Sequence, residues 1–152
     1  MQRQELTDFL KNHFPDCSFR EDAQYPELTV SAEKIAEVAS ELKNNQVLAF
    51  DYLISLTAVD YKDKFTMVYH LESTTQRQLL VLKADISDRE NPAIDTVSLL
   101  WKTAEFHERE VYDLFGIRFN GHSDLRRLFL DDDYGFPLRK DFSDETRVLT
   151  LS

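Results

Sequence analysis

Phe65-Thr66-Met67-Val68-Tyr69-His70-Leu71-Glu72 sets Phe65, Met67, Tyr69 and Leu71 at every second position, with Thr66, His70 and Glu72 falling between them. Successive side chains of a strand point to opposite faces, so this stretch predicts a strand with one buried face. It belongs to a run over 64–72. An earlier run over 52–59 is joined to it through Tyr61-Lys62-Asp63, and a later run over 77–86 follows through Ser73-Thr74-Thr75-Gln76. Links this short imply an antiparallel meander. Within the last run Leu79-Leu80-Val81-Leu82 has no polar interruption and predicts burial on both faces.

Helical spacing surrounds the meander. Leu6, Phe9, Leu10 and Phe14 predict a helix over 4–13 that ends near Pro15. Extended pieces at 18–20 and 27–30 lead to Ser31, which suits the N-cap of a helix over 32–44 whose Ile35, Val38, Ala39 and Leu42 share one face. Asn91-Pro92 reads as a further helix start, followed by Ile94, Val97, Leu100 and Trp101 at helical spacing. A helix over 104–115 stops at Gly116, a natural C-cap. All three glycines fall late, at Gly116, Gly121 and Gly135, so the chain before them contains no position that demands glycine. Beyond Gly116 neither period is sustained. The expectation is an α+β fold, helices packed on a mixed or antiparallel sheet, with residues 1–115 as the domain and 116–152 as an irregular extended segment. No internal repeat or low-complexity stretch interrupts this order.

Composition narrows the function classes. A chain of 152 residues with 42% hydrophobic content can bury one sizeable core. Its 28 acidic against 18 basic residues give a net charge of −10, which repels nucleic acid and anionic lipid. Charges interrupt every apolar stretch before the roughly 18–20 residues that a spanning helix needs. The N-terminal Met1-Gln2-Arg3-Gln4-Glu5 lacks the order of a secretory signal and fits a bacterial cytoplasmic home. Cys17 is the single cysteine, so neither an internal disulfide nor a cluster held by four thiolates can be made from this chain alone. It reads as an ordinary, partly buried thiol.

Several local patterns could carry chemistry, and each meets a simpler reading. His107-Glu108-Arg109-Glu110 resembles a zinc-protease helix, but the second ligand position holds Val111. Asp131-Asp132-Asp133 does not match a calcium loop and reads as a solvated turn or helix start. His122-Ser123-Asp124 lacks a glycine-flanked nucleophile elbow, and no phosphate-binding glycine loop exists. His13 and His70 have no evident partners. On the helix over 104–115, Glu105, Arg109 and Asp113 at i, i+4 and i+8 predict a solvated ion-pair ladder. Glu110 and Asp113 share a side with Phe106 and need partners there, for which Arg126, Arg127 and Arg139 are the candidates.

The run from Glu108-Arg109-Glu110-Val111-Tyr112-Asp113-Leu114-Phe115-Gly116 through Ile117-Arg118-Phe119-Asn120-Gly121-His122 resembles the signature of the 30-kDa (C) subunit family of respiratory complex I. The similarity continues through Asp124-Leu125-Arg126-Arg127-Leu128 to Gly135-Phe136-Pro137-Leu138-Arg139-Lys140-Asp141-Phe142, and upstream in Leu56-Thr57-Ala58-Val59-Asp60-Tyr61 and Val68-Tyr69-His70-Leu71-Glu72-Ser73. The chain departs from the pattern at Ser123 and Leu130, where proline is usual, at Tyr134 and Phe106, where tryptophan is usual, and at Phe136, where histidine is common. The resemblance implies a cofactor-free subunit of the peripheral arm of a bacterial NADH-quinone oxidoreductase, on the cytoplasmic side of the inner membrane. NADH, FMN, iron–sulfur clusters and quinone would be held by partner subunits. The complex I subunits D, B and I would be its neighbours, with D helping to form the quinone pocket. Many relatives carry a longer charged tail or are fused to that quinone-site subunit, whereas this sequence stops at Ser152, which implies either less wrapping of a partner or a shortened chain.

The implied docking surface has Arg126, Arg127, Arg139 and Lys140 as its positive half and Glu108, Glu110, Asp113 and Asp124 as its negative half. Phe115, Phe119, Leu125 and Leu138 serve as apolar anchors, with Arg109, Gly116, Gly121, His122, Pro137 and Asp141 completing it. The equivalent subunit of a membrane-bound hydrogenase or a ferredoxin-dependent quinone oxidoreductase is the alternative within the family. A stand-alone hydrolase using His107 or His122 is the remote one.

Overall fold

The computed structural model of the protein describes residues 2–20, 22–126 and 135–141. The chain runs α1 (Arg3–His13), β1 (Ser18–Arg20), β2 (Glu27–Ser31), a 3-10 turn (Ala32–Lys34), α2 (Ile35–Asn44), β3 (Tyr52–Asp60), β4 (Phe65–Ser73), β5 (Gln78–Ile86), β6 (Ala93–Asp95), α3 (Ala104–Phe115) and β7 (Arg118–Asn120). Five strands form one sheet in the order β1-β2-β5-β4-β3, while β6 and β7 pair separately. The expected meander is present, since β3–β4 and β4–β5 are antiparallel. Because β2 joins β5 in parallel, with Leu28 opposite Leu82, the sheet is mixed.

Alternation decides which face is dry. Leu53, Leu56 and Ala58 of β3, Phe65, Met67, Tyr69 and Leu71 of β4, and Leu80, Leu82, Ala84 and Ile86 of β5 are all buried in one core. Leu6 and Leu10 of α1, Ile35, Val38, Ala39 and Leu42 of α2, and Val111 and Phe115 of α3 belong to the same core. Val68 and Val81, at the intervening strand positions, are buried outside it on a second face they share with Thr66, His70 and Lys83, so the Leu79–Leu82 run is buried on both faces at Leu80, Val81 and Leu82 and half-buried at Leu79.

Three expectations change. Asn91-Pro92 opens no helix: β6 pairs in parallel with β7, placing Ile94 opposite Phe119. Arg118 donates its N–H to the Pro92 carbonyl at 3.0 Å, and Thr96 to that of Asn120 at 2.9 Å. Ile94, Val97 and Trp101 are still buried, by a strand and a following turn instead of a helix face. Ser31 caps nothing with its side chain; it ends β2, and the 3-10 turn precedes α2. His13 does have a partner, Glu41, at 2.8 Å. Ala49, Lys62 and Arg77 take positive φ of 48°, 74° and 54°, so tight turns before Gly116 are made without glycine.

Candidate functional site

The helix α3 is tied to the sheet at its start. Trp101 Nε1 donates to the Phe50 carbonyl at 2.9 Å, and the Thr103 hydroxyl to that of Leu53 at 3.1 Å. With its hydroxyl so used, Thr103 makes no side-chain cap. Ala104, Glu108, Val111 and Phe115 then face the interior, which sets one carboxylate in an apolar stripe.

That carboxylate, Glu108, is fully buried. The Thr96 hydroxyl donates to its Oε1 and the Val97 N–H to its Oε2 at 2.9 Å. His122 Nε2 lies 4.0 Å from Oε1. Burial pushes the Glu108 carboxyl above its usual range, against the opposing pull of the Thr96 and Val97 hydrogen bonds. His122 Nδ1 accepts from the Asp124 N–H at 3.0 Å, which leaves Nε2 as the protonated nitrogen, donating to the Glu105 carbonyl at 2.9 Å. Both ring nitrogens are thus committed to the backbone, and neither is free to act as a base on Ser123. Beside this cluster the buried Tyr69 hydroxyl finds no hydrogen-bond partner among the described residues, and burial together with the Glu108 charge drives its ionisation well upward.

A second cluster gathers where the C-terminal strap, residues 135–141, returns to the domain. Gly116 closes α3 in the left-handed region at φ 76°, its N–H on the Tyr112 carbonyl at 2.9 Å. Over it lie Phe136 and Arg139, which a Cβ at Gly116 would meet at 2.7 and 2.9 Å. Leu138 donates its N–H to the Leu114 carbonyl at 3.1 Å, and Arg139 Nε to that of Phe115 at 2.5 Å. Lys140 donates its N–H to Asp60 Oδ2 at 2.9 Å.

Asp60, buried at the end of β3, is the centre of this cluster. Arg89 grips both its oxygens through a two-nitrogen fork, and the Lys62 N–H adds a bond of 2.8 Å. Burial alone would raise the Asp60 carboxyl; the bonds from Arg89, Lys140 and Lys62, with the Arg89 charge, hold it down at about 2. The guanidinium carbons of Arg89 and Arg139 stand 4.5 and 5.3 Å from the centre of the Phe65 ring.

The residues expected on one docking surface therefore divide. Glu108, Asp113, Phe115 and Phe119 are buried within the chain, the first two at 0% exposure, because the inward stripe of α3 and the β6–β7 pair consume them. Asp113 thus leaves the expected solvated ladder, and Arg109 reaches out of the helix to Asp124 at 4.0 Å. Arg126 pairs with Asp124 at 3.2 Å and Arg139 turns inward, so neither takes Glu110 as the sequence suggested. Gly121, Asp124 and Arg126 have exposed surface, as do Leu138, Lys140 and Asp141 of the strap, while Glu110, Leu125 and Pro137 are half-buried. Arg127 and the Asp131-Asp132-Asp133 triplet lie outside the described residues. Asp60, Arg89 and Thr96 escaped the sequence reading as site residues, since their partners are 12 to 80 positions away. Among the described residues no three His, Cys, Asp or Glu side chains gather as a metal site.

Known proteins are similar to this chain in sequence and in fold. Residues 28–148 match the family described as respiratory-chain NADH dehydrogenase, 30 Kd subunit. The C subunit of the Moorella thermoacetica NADH-quinone oxidoreductase is 40% identical over 140 residues, covering 90% of this chain and 93% of that one. The C/D subunit of the Phocaeicola vulgatus NADH-quinone oxidoreductase is 44% identical over 127 residues, covering 82% of this chain and 24% of that longer protein. A solved chain from the membrane-bound sulfane sulfur reductase, an archaeal respiratory membrane complex, superposes with a TM-score of 0.80 at 26% identity, covering 94% of this chain and 86% of that chain. With family match, near full-length identity and common fold in agreement, this chain belongs to the 30-kDa subunit family of respiratory-chain NADH dehydrogenases.

Proposed function

We propose that the chain is the 30-kDa subunit of a bacterial NADH-quinone oxidoreductase, a structural piece of the peripheral arm. It docks the quinone-site subunit and supports proton-coupled electron transfer from NADH to quinone. The observation that carries this is the 40% identity to the Moorella thermoacetica C subunit along 93% of its length. The C/D relative favours the quinone-site subunit as the neighbour, because there the two letters name one protein. Subunits B and I complete the proposed surroundings. No helix among the described residues is long and apolar enough to cross a membrane, which suits attachment through partners on the cytoplasmic side of the inner membrane.

In this reading the chain moves no electrons. NADH, FMN, the iron–sulfur clusters and quinone belong to partner subunits, and Cys17 alone supplies too few thiolates for a cluster. The exposed charges of Arg126, Lys140 and Asp141 give orientation and encounter rate to docking more than affinity.

The fold shared with the sulfane sulfur reductase chain favours a second reading, the equivalent subunit of a related membrane complex with another electron donor or acceptor. Tagged protein is purified from its native membranes in mild detergent, and the chains that accompany it are identified by mass spectrometry. Recovery of subunits D, B and I is expected. Hydrogenase or sulfur-reductase subunits in their place would select the second reading, and the absence of all of them would end both.

A further inference from the structure

We infer that Asp60 and Arg89, which precede the Glu108–Asp141 segment in sequence, are positioning residues for assembly: they latch the strap so that Leu138, Lys140 and Asp141 are presented to the quinone-site subunit. The inference rests on the docking function proposed above. The strap is held from its inner side. Two alternate amides, of Leu138 and Lys140, point to the domain, at Leu114 and Asp60, and the Arg139 side chain between them enters the Phe65–Phe136 ring contacts. With the inward bonds so used, the Leu138 side chain is left 45% exposed and the Asp141 side chain 70% exposed. Lys140 is exposed beside them.

Asp60 decides whether this backbone course holds. It accepts the bond by which Lys140 ties the strap to β3, and its second strong partner, Arg89, also lies 3.8 Å from Asp141. Arg89 and Arg139 both approach the Phe65 ring, so the Asp60 carboxylate offsets two guanidiniums crowded there. Without it, their mutual repulsion and the lost Lys140 bond act together against closure. The outward triad fits a surface with an apolar pocket for Leu138 and a carboxylate for Lys140. The quinone-site subunit, named in one protein with this chain's counterpart in the C/D relatives, is the occupant proposed. Fixing the strap beforehand removes part of the ordering cost that docking would otherwise incur.

The test compares the tagged wild-type chain with Asp60→Asn and Lys140→Pro in native membranes, reading recovery of the quinone-site subunit, and in the purified chains, reading amide exchange. Lys140→Pro deletes the strap's donor and leaves the Asp60–Arg89 pair intact, so it decides the matter if Asp60→Asn unfolds the domain; Lys140→Ala, which keeps that donor and removes the same ammonium, sets the recovery against which Lys140→Pro is read. Exchange at the Leu138 amide should quicken by about tenfold or more, with β4 and β5 protection unchanged, and recovery of the partner should fall by about tenfold. Faster exchange with undiminished recovery would overturn the latch while leaving the docking function standing. Unchanged exchange in both variants would overturn it equally, and a wild-type chain that recovers no quinone-site subunit would remove the docking function itself.

Discussion

Glu108 and Asp60 are buried carboxylates with opposite electrostatic balances. Glu108 receives two hydrogen bonds in the apolar stripe of α3, and burial wins, raising its carboxyl. A raised acid costs the fold nothing while protonated in both states. Its cost appears as pH rises through the ordinary glutamate range and is complete above the folded value. Glu108→Gln keeps the shape, so it should equal the wild type at about pH 4 and exceed it in stability at pH 7, measured by urea unfolding. Glu108→Ala instead strands the Val97 N–H and should cost about 1–3 kcal/mol at pH 7. Asp60 runs the other way. Its stabilising contribution is present above the ordinary aspartate range and is lost as pH falls toward about 2, so the same titration should show the wild type losing its advantage over Asp60→Asn there. A Gln variant less stable than the wild type at pH 7 would contradict the balance assigned to Glu108.

At the scale of elements, the join between α3 and the strap depends on Gly116. Its φ of 76° suits glycine, and the space where a Cβ would stand is filled by Phe136 and Arg139. Gly116→Ala should therefore cost about 1–3 kcal/mol and loosen the strap, seen as a lower thermal midpoint with faster exchange at Leu138. An unchanged midpoint would show that the strap yields without cost. The residue was legible in the sequence as a helix stop, as was all of α3, because a helix carries its period and its cap locally. The meander was legible for the same reason: Phe65, Met67, Tyr69 and Leu71 state their own alternation. β6 was not, because Ile94, Val97, Leu100 and Trp101 mimic helical spacing while the deciding partner, Phe119, lies 25 positions on. The site followed this division. Gly116, Leu138 and Lys140 could be named from the signature, whereas Asp60 and Arg89 gain their roles only when β3, the loop after β5 and the strap converge. Glu108 and Asp113 were named but placed outside, since a charged letter gives no sign that its side chain is buried.

At the scale of the molecule, the core is assembled almost wholly before the strap is reached. Among the described residues its buried members run from Leu6 to Phe119, and the five-stranded sheet takes none of them beyond Ile86. The strap adds bonds from Leu138, Arg139 and Lys140 and covers the Phe65 ring with Arg139. Bonds of this kind contribute about 0.5–1.5 kcal/mol each, so their sum is small beside the burial of that core. A chain ended after Arg126 should thus keep a single cooperative unfolding transition, with its midpoint lower by roughly 5–15 °C. It should also lose recovery of the quinone-site subunit in native membranes, because the surface that the strap presents is gone. Calorimetry checks the first outcome and co-purification the second. A shortened chain without a cooperative transition would mean that the strap belongs to the folding unit itself; one that folds and still recovers the partner would move the docking surface off the strap and onto the domain.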